Sequence, residues 1–408
     1  MKKILFVTPY NPFVFPIGAS SQSVRYRIGH LSEMAEVHLL TFAGREDKTI
    51  PVPDHFNVKT QFLPHPVLRN RGDSKFVRFG RTILGKIDTF ENIEALSSVL
   101  GKEVQRLISN IHFDLIHIDD ITIAPVMHYC PPDVKKLFFF HNLMTLQYKN
   151  IVRSKKKLFK KIISYIEYLH IKKYEKDMLR QIDHAVVLTK IEQERAKILS
   201  PGSKVYRIPL EIDLDQYVPK PDAIERYRIT FTGTMSYEPN HEGALYFITT
   251  IFPLIKRDCP QAMFYVVGMN PSEDLRELSD DGIVVTGEVA NIQEYICKSA
   301  VIVVPLLSGG GMRFKILVAF ALGKAIVSTS VGAEGIDYQD HGDIVIADHP
   351  AHFARQVCDL LDNPRRAQDL GFKARQLIER TYDSRIVKQQ WRDVYSEIMG
   401  QFSEGRRR

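Results

Sequence analysis

Two successive series of short apolar runs constrain this chain more than any other feature. The first comprises ILFVTP from Ile4, VHLLTF from Val37, DLIHI from Asp114, KLFFFH from Lys136 to His141 and AVVLT from Ala185. The second comprises RITFTG from Arg228, MFYVVG from Met263, IVVTG from Ile283, VIVVP from Val301, AIVST from Ala325 and DIVIA from Asp343. As a set these runs lack strict alternation, and segments with helical periodicity separate them. Strands that are apolar on both sides and joined through helices predict parallel sheets covered on both faces.

A chain of 408 residues exceeds what one core ordinarily organises, so the repeat of the theme predicts two α/β domains. We expect a first domain over residues 1–203 and a second over 204–383. A terminal helix with a basic tail follows over 384–408, the helix packing back toward the first domain. The prolines and mixed polarity of residues 204–222 mark the connection. Doubly wound sheets bind ligands outside the carboxyl ends of their strands, so the strand ends of the two units are expected to border a cleft.

Composition removes several classes. The 44% hydrophobic and 25% charged content is that of a globular protein, and no run reaches the roughly 18 apolar residues of a membrane span. The apolar stretch after Met1 is short, lacks a small-residue cleavage site and runs into Pro9 and Pro12, so it reads as a first strand of an intracellular protein. The cysteines at 130, 259, 297 and 358 have no paired spacing, which predicts neither a disulfide framework nor a zinc site. A net charge of +7 permits a polyanionic partner or an acidic membrane surface without requiring one. No nucleic-acid module is recognisable, and no GxGxxG follows either first strand, which argues against a dinucleotide-dependent oxidoreductase.

The chemistry gathers at strand ends. Gly233, Gly268, Gly287 and Gly309 to Gly311 each follow or close an apolar run, where a missing side chain lets backbone approach a ligand. The run SGGGMRFKILVAFALG from Ser308 places three glycines, Arg313 and Lys315 where a strand passes into a helix. Free amides at such a helix start, its positive dipole end and two cations form an anion site suited to phosphate. In the first domain Gly18 and Ala19 allow close approach, with Ser20 or Ser21 capping the helix that carries Arg25; an ordinary capped loop fits those residues equally. His141 and Asn142 end a very apolar run, where both a structural and a catalytic histidine fit. Asp119 and Asp120 are similarly placed. Between 153 and 169, Leu158, Phe159, Ile162, Ile163, Ile166 and Leu169 recur at helical spacing behind lysines. This is either a core-packed helix with a solvated start or a contact for acidic lipid headgroups.

These residues resemble glycosyltransferase family 4, on the two-domain GT-B fold of paired Rossmann-like units, in its Gly-Gly-Gly-x-Arg-x-Lys subgroup. The likeness covers nearly the whole chain: TPYNPF from Thr8, FHN from Phe140, TGTMSYEPNHEGALYF from Thr232, VVGMNP from Val266, VVTGEV from Val284 and the run from Ser308 through VGAEG to Gly335. The resemblance implies a nucleotide-sugar donor held mainly by the second domain and no metal cofactor. Glu288 and Val289 would meet the base. Gly18, Ala19, Gly233, Thr234, Gly268, Gly310, Gly311, Met312 and Phe314 would border the donor diphosphate or sugar, with Glu334 near them. His141, Arg313 and Lys315 are the residues to which it assigns catalysis, with retention of configuration and no protein nucleophile. The family's paired acids, seven residues apart, fall here on Gly310 and Val318, so the usual ribose carboxylate is absent.

The expected function is therefore transfer of a sugar from a nucleotide sugar to a saccharide or lipid-linked acceptor in surface polysaccharide or glycolipid synthesis. The expected location is cytoplasmic, with peripheral contact to acidic membrane through 153–169. A degenerate relative that only binds or assembles is the alternative raised by Val318.

Overall fold

The computed structural model describes residues 1–15, 19–44, 48–66, 81–82, 84, 88–154 and 158–400. The chain divides into two compact units, Met1–Pro209 with Lys388–Arg408, and Leu210–Val387.

The first unit is built on seven parallel strands: β1 (Lys3–Val7), β2 (Glu36–Ala43), β3 (Val58–Pro64), β4 (Leu115–Asp119), β5 (Lys135–Phe140), β6 (His184–Val187) and β7 (Lys204–Arg207). Their spatial order is β3-β2-β1-β4-β5-β6-β7, with Lys3 opposite Glu36 and Ile4 opposite Leu115. Helices α1 (Ala19–Ser32), α2 (Asp88–Ile108), α3 (Met144–Ser154), α4 (Leu158–Leu179) and α5 (Lys190–Leu199) connect them, with a 3-10 helix over Ile121–Tyr129. Leu5, Val7, Ile116, Ile118, Phe138 and Phe140 pack with Leu100 and Val104 of α2 on one face. Phe6 and Phe139 project to the other, where His117 stacks on Phe6 at 4.2 Å and Trp391 lies 5.7 Å from Phe139. Apolar residues on successive strand positions thus find cover on both sides, each such burial contributing about 1.5–3 kcal/mol.

Two strands differ from the sequence reading. Lys204–Arg207, assigned there to the inter-domain connection, is β7: Val205 is buried, and the segment pairs with β6 in register His184–Lys204. A single half-buried edge strand carries too few apolar residues to stand out. For the same reason β3, whose residues are all exposed or half-buried, was not legible.

The second unit holds β8 (Glu225–Thr232), β9 (Met263–Val267), β10 (Ile283–Gly287), β11 (Ser299–Val304), β12 (Ala325–Ser328) and β13 (Val345–Ile346), ordered β10-β9-β8-β11-β12-β13. Helices α6 (Glu238–Tyr246), α7 (Phe252–Asp258), α8 (Glu273–Arg276), α9 (Ile292–Lys298), α10 (Phe314–Ala321), α11 (Pro350–Asp362) and α12 (Pro364–Thr381) complete it. Phe247, the C-cap of α6, lies 4.3 Å from Phe264 and edge-on to Phe353, tying the end of α6 and α11 to the sheet. From Ile316 to Ala321, α10 is buried all round. Gly371 of α12 meets its end so closely that a Cβ there would lie 2.0 Å from the Gly323 carbonyl oxygen. The last helix, α13 (Ser384–Met399), starts in the second unit and from Lys388 onward belongs to the first. Among the described residues no helix is long and apolar enough to cross a membrane.

Candidate active site

Each sheet reverses its winding direction next to its first strand, between β1 and β4 in one unit and β8 and β11 in the other. Ligands of doubly wound sheets bind at such switch points. The candidate residues can be placed against each in turn.

In the second unit β8 ends at Gly233, whose amide donates to the Val267 carbonyl at 3.0 Å. Gly268 ends β9 at φ +146°, and a Cβ there would lie 1.9 Å from the Gly233 oxygen. Only glycine lets these two strand ends run so close. Gly309 and Gly311 after β11 also have positive φ, +105° and +78°. Arg313 is the N-cap of α10 and is 7% exposed. Its Nη1 donates to the Gly310 carbonyl, while Nε and Nη2 are buried with no hydrogen-bond partner. Burial lowers its pKa, against the charge of Glu334, which is half-buried. An unsatisfied buried donor of this kind costs free energy that a bound acceptor would recover.

Lys315, the second residue of α10, donates to Asn240 Oδ1 at 2.7 Å and lies 4.3 Å above the Phe231 ring. Desolvation first, and the Arg313 charge second, bring its pKa down to about 7. Asn240 Nδ2 in turn donates to the Thr234 carbonyl at 2.9 Å. A Cβ on Gly233 would be 2.9 Å from Lys315 Nζ, so the ammonium sits on the bare backbone of the strand end. Thus Gly233 meets both Gly268 and Lys315, Thr234 is joined to Lys315 through Asn240, and Arg313 with Gly310 opens the helix that carries Lys315. Gly311 is half-buried, Met312 is buried and Phe314 is half-buried along the same helix start. Gly287 closes β10 at φ +70°, with its carbonyl accepting from the Gly268 amide at 3.2 Å. The exposed Glu288 and half-buried Val289 follow it. Val318 is 8% exposed within the apolar body of α10. A carboxylate reaches the glycine run from elsewhere: Glu242 of α6 accepts from Ser308 Oγ at 3.0 Å. The sequence offered no signal for that pairing beyond an acid in the first helix after β8.

In the first unit His141 follows β5 and is 7% exposed. Its Nε2 lies 3.3 Å from Asp119 Oδ2 at the end of β4. Asp119 also accepts from Thr8 Oγ1 at 2.8 Å, after β1, and from the Arg27 guanidinium. Burial raises the Asp119 pKa, but Arg27, His141 and His117 outweigh it and hold the carboxyl well below its ordinary range. Arg27 is enclosed, with its guanidinium carbon 3.8 Å over Phe139. His117 beneath is brought down to about 3 by burial, and its Nδ1 meets the Tyr395 hydroxyl at 2.7 Å. Arg27 was not among the sequence candidates, since an arginine in a helix ordinarily marks a solvated face. Arg25, which was, is half-buried in α1. Ser20 and Ser21 lie inside the first turn of α1 rather than capping it, because the helix already starts at Ala19. Gly18 falls outside the described residues. Among those described, no group of three or more His, Cys, Asp or Glu is placed to hold a metal ion.

The stretch 153–169 covers the end of α3 and the first half of α4, and α4 packs on the core along one side while leaving much of the expected apolar stripe outside. Leu158 is 73% exposed, and Phe159, Ile162 and Leu169 are also exposed, with Ile163 and Ile171 turned inward. Lys155 to Lys157 fall outside the described residues. Lys172 and Lys176 of α4 and Arg180 just past its end line a groove of about 570 Å³ shared with Ile191 and Ile198 of α5.

Comparison with known proteins agrees with this layout. Residues 226–363, within the second unit, match the family model described as Glycosyl transferases group 1. A Klebsiella pneumoniae protein described as an uncharacterized 44.6 kDa protein in a cps region is 23% identical over 68% of this chain and 73% of its own length. Among solved structures, sucrose-phosphate synthase from Thermosynechococcus elongatus superposes with a TM-score of 0.73 at 16% identity, covering 98% of this chain and 99% of that one. The Anabaena protein HepE, solved with UDP and glucose, gives 0.67 at 11% identity over 97% of this chain and 100% of that one. The chain has the two-domain α/β fold of GT-B glycosyltransferases.

Proposed function

We propose that this GT-B chain is a glycosyltransferase that moves a sugar from a nucleoside-diphosphate sugar to a saccharide or lipid-linked acceptor, with retention, in surface polysaccharide or glycolipid synthesis. One observation carries the reading. A buried guanidinium with two unpartnered nitrogens opens the same helix as a half-buried ammonium at a bare strand end, in the unit that matches the glycosyltransferase group 1 model. A diphosphate supplies acceptors for both cations and for the free amides opening α10. Stabilising the departing diphosphate is then the principal catalytic term, with positioning of the acceptor hydroxyl the other. The relative encoded in a cps region supports the polysaccharide assignment.

Lys315 gives this reading a pH signature. With a folded pKa of about 7 it is largely neutral at pH 8, and a diphosphate restores its charged form. Binding of a nucleoside diphosphate at pH 8 should take up close to one proton, and affinity should fall as pH rises from 7 to 9. Calorimetry in buffers of different ionisation enthalpy reads this directly. A buffer-independent enthalpy at pH 8, unaltered in Lys315→Arg, rules the site out.

The exposed apolar and basic face of α4 supports peripheral contact with acidic membrane. Each lysine near such a surface contributes about 1 kcal/mol, so Lys160→Glu with Lys161→Glu should reduce co-sedimentation with anionic vesicles about tenfold or more. Equal sedimentation of variant and parent refutes the contact.

Val318 favours one second reading, a binding or assembly subunit without turnover, because an apolar side chain offers the ribose no acceptor. That protein would bind nucleoside diphosphate and cleave no nucleotide sugar.

A further inference from the structure

The end of β4 carries two consecutive carboxylates that reach the same imidazole by different routes. Side chains of successive strand residues ordinarily point to opposite faces. Asp120 breaks that alternation with φ +107°, a conformation rare outside glycine, while its amide still donates to the Phe139 carbonyl at 2.8 Å. Its Oδ1 accepts from the Thr122 amide at 2.8 Å and hydroxyl at 2.6 Å, which fixes the rotamer. Its Oδ2 accepts from the Tyr10 hydroxyl at 3.2 Å, and the Tyr10 ring stands edge-on to His141 at 4.9 Å. Asp119, held from below by Arg27, meets the same imidazole at Nε2.

The geometry points to Asp119 and Asp120 as positioning residues for His141: Asp119 fixes hydrogen on Nε2, and Asp120, through Tyr10, fixes the ring plane, so that Nδ1 is the nitrogen offered to substrate. Asp119 is ion-paired and can only accept, so the neutral imidazole carries its hydrogen on Nε2. Nδ1 then presents a lone pair. Such a group receives a hydrogen bond from a sugar or acceptor hydroxyl and does not donate to a phosphate. The strained backbone of Asp120 is what brings the second carboxylate to the Tyr10 hydroxyl, a local cost retained where it shapes a site.

This inference rests on His141 taking part in the proposed transfer, and the test separates the two. NMR of protein labelled with 15N-histidine, with His141 assigned by the signal missing in His141→Gln, should show the Nε2-protonated tautomer at pH 8. Protonation on Nδ1 overturns the assignment whatever the activity. Tyr10→Phe, which deletes only the hydroxyl to Asp120, should lower kcat about tenfold with the donor KM within about twofold of the parent. Asp120→Asn, which keeps an acceptor oxygen, should retain most of the parent kcat. An unchanged kcat in Tyr10→Phe overturns the positioning role. If His141→Gln turns over like the parent, the part given to His141 in the transfer falls, while the tautomer still judges the geometry.

Discussion

Arg313→Ala is expected to weaken binding of the cognate nucleoside diphosphate about 100-fold, the effect of losing two charge-assisted hydrogen bonds worth about 1.5 kcal/mol each. The guanidinium is 7% exposed, and only one of its nitrogens has a partner. Without ligand the burial of this charge is a cost, so the same variant should melt no lower than the parent, the pattern of a residue kept for function. Arg313→Lys restores a charge but not the planar pair of donors and should recover only part of the affinity. Titration calorimetry with thermal melting of the free protein reads both halves. A loss of affinity below about threefold, or a marked drop in the apo melting temperature, would assign Arg313 to the architecture of the glycine loop instead.

The largest stability effect is expected at Asp119. Asp119→Ala leaves Arg27 charged, 2% exposed and without its carboxylate, stacked between Phe139 and Trp391. Breaking one side of a buried pair costs about 3–5 kcal/mol. The double change Arg27→Met with Asp119→Leu removes both charges and should recover most of that loss. Trp391 is the single tryptophan of the chain, and it lies 5.7 Å from the Arg27 guanidinium, so its fluorescence reports this unit alone during urea unfolding. A single variant within about 1 kcal/mol of the parent would show that water or rearrangement already relieves the pair. The same arrangement predicts acid sensitivity. A carboxyl held below its ordinary pKa contributes stability above the unfolded value, and that contribution is lost as pH falls through the folded one.

Much of this was legible in the residues, for a physical reason. Strands buried on both faces need consecutive apolar residues, so β1, β5, β9 and β11 stood out as uninterrupted runs. Their glycine ends stood out because close backbone approach leaves no alternative residue, as the 1.9 Å separation at Gly268 makes concrete. Edge strands such as β3 and β7 are half-exposed and lose that signature. The pairings that build the sites were not legible either, since they join distant residues: Arg27 and Asp119 are 92 positions apart, and Lys315 and Asn240 are 75 apart. Arg313 and Lys315 were legible as cations of a helix start. Their burial, which depresses the basicity of both, comes only from the packing of α6 and α10 around the end of β8. Val318 remains the departure with the greatest consequence, and Glu242 beside Ser308 is the carboxylate nearest in kind to what that position lacks.

The central claim is that the glycine-rich switch point of the second unit binds a sugar-nucleotide diphosphate and releases it as a leaving group. The most direct measurement incubates the purified protein with a panel of nucleotide sugars and follows each by NMR. The expected result is slow cleavage of one donor to its nucleoside diphosphate, with the sugar first appearing in the anomeric form it had in the donor, and loss of this activity in Arg313→Ala. A panel in which no nucleotide sugar binds or is cleaved would contradict the account.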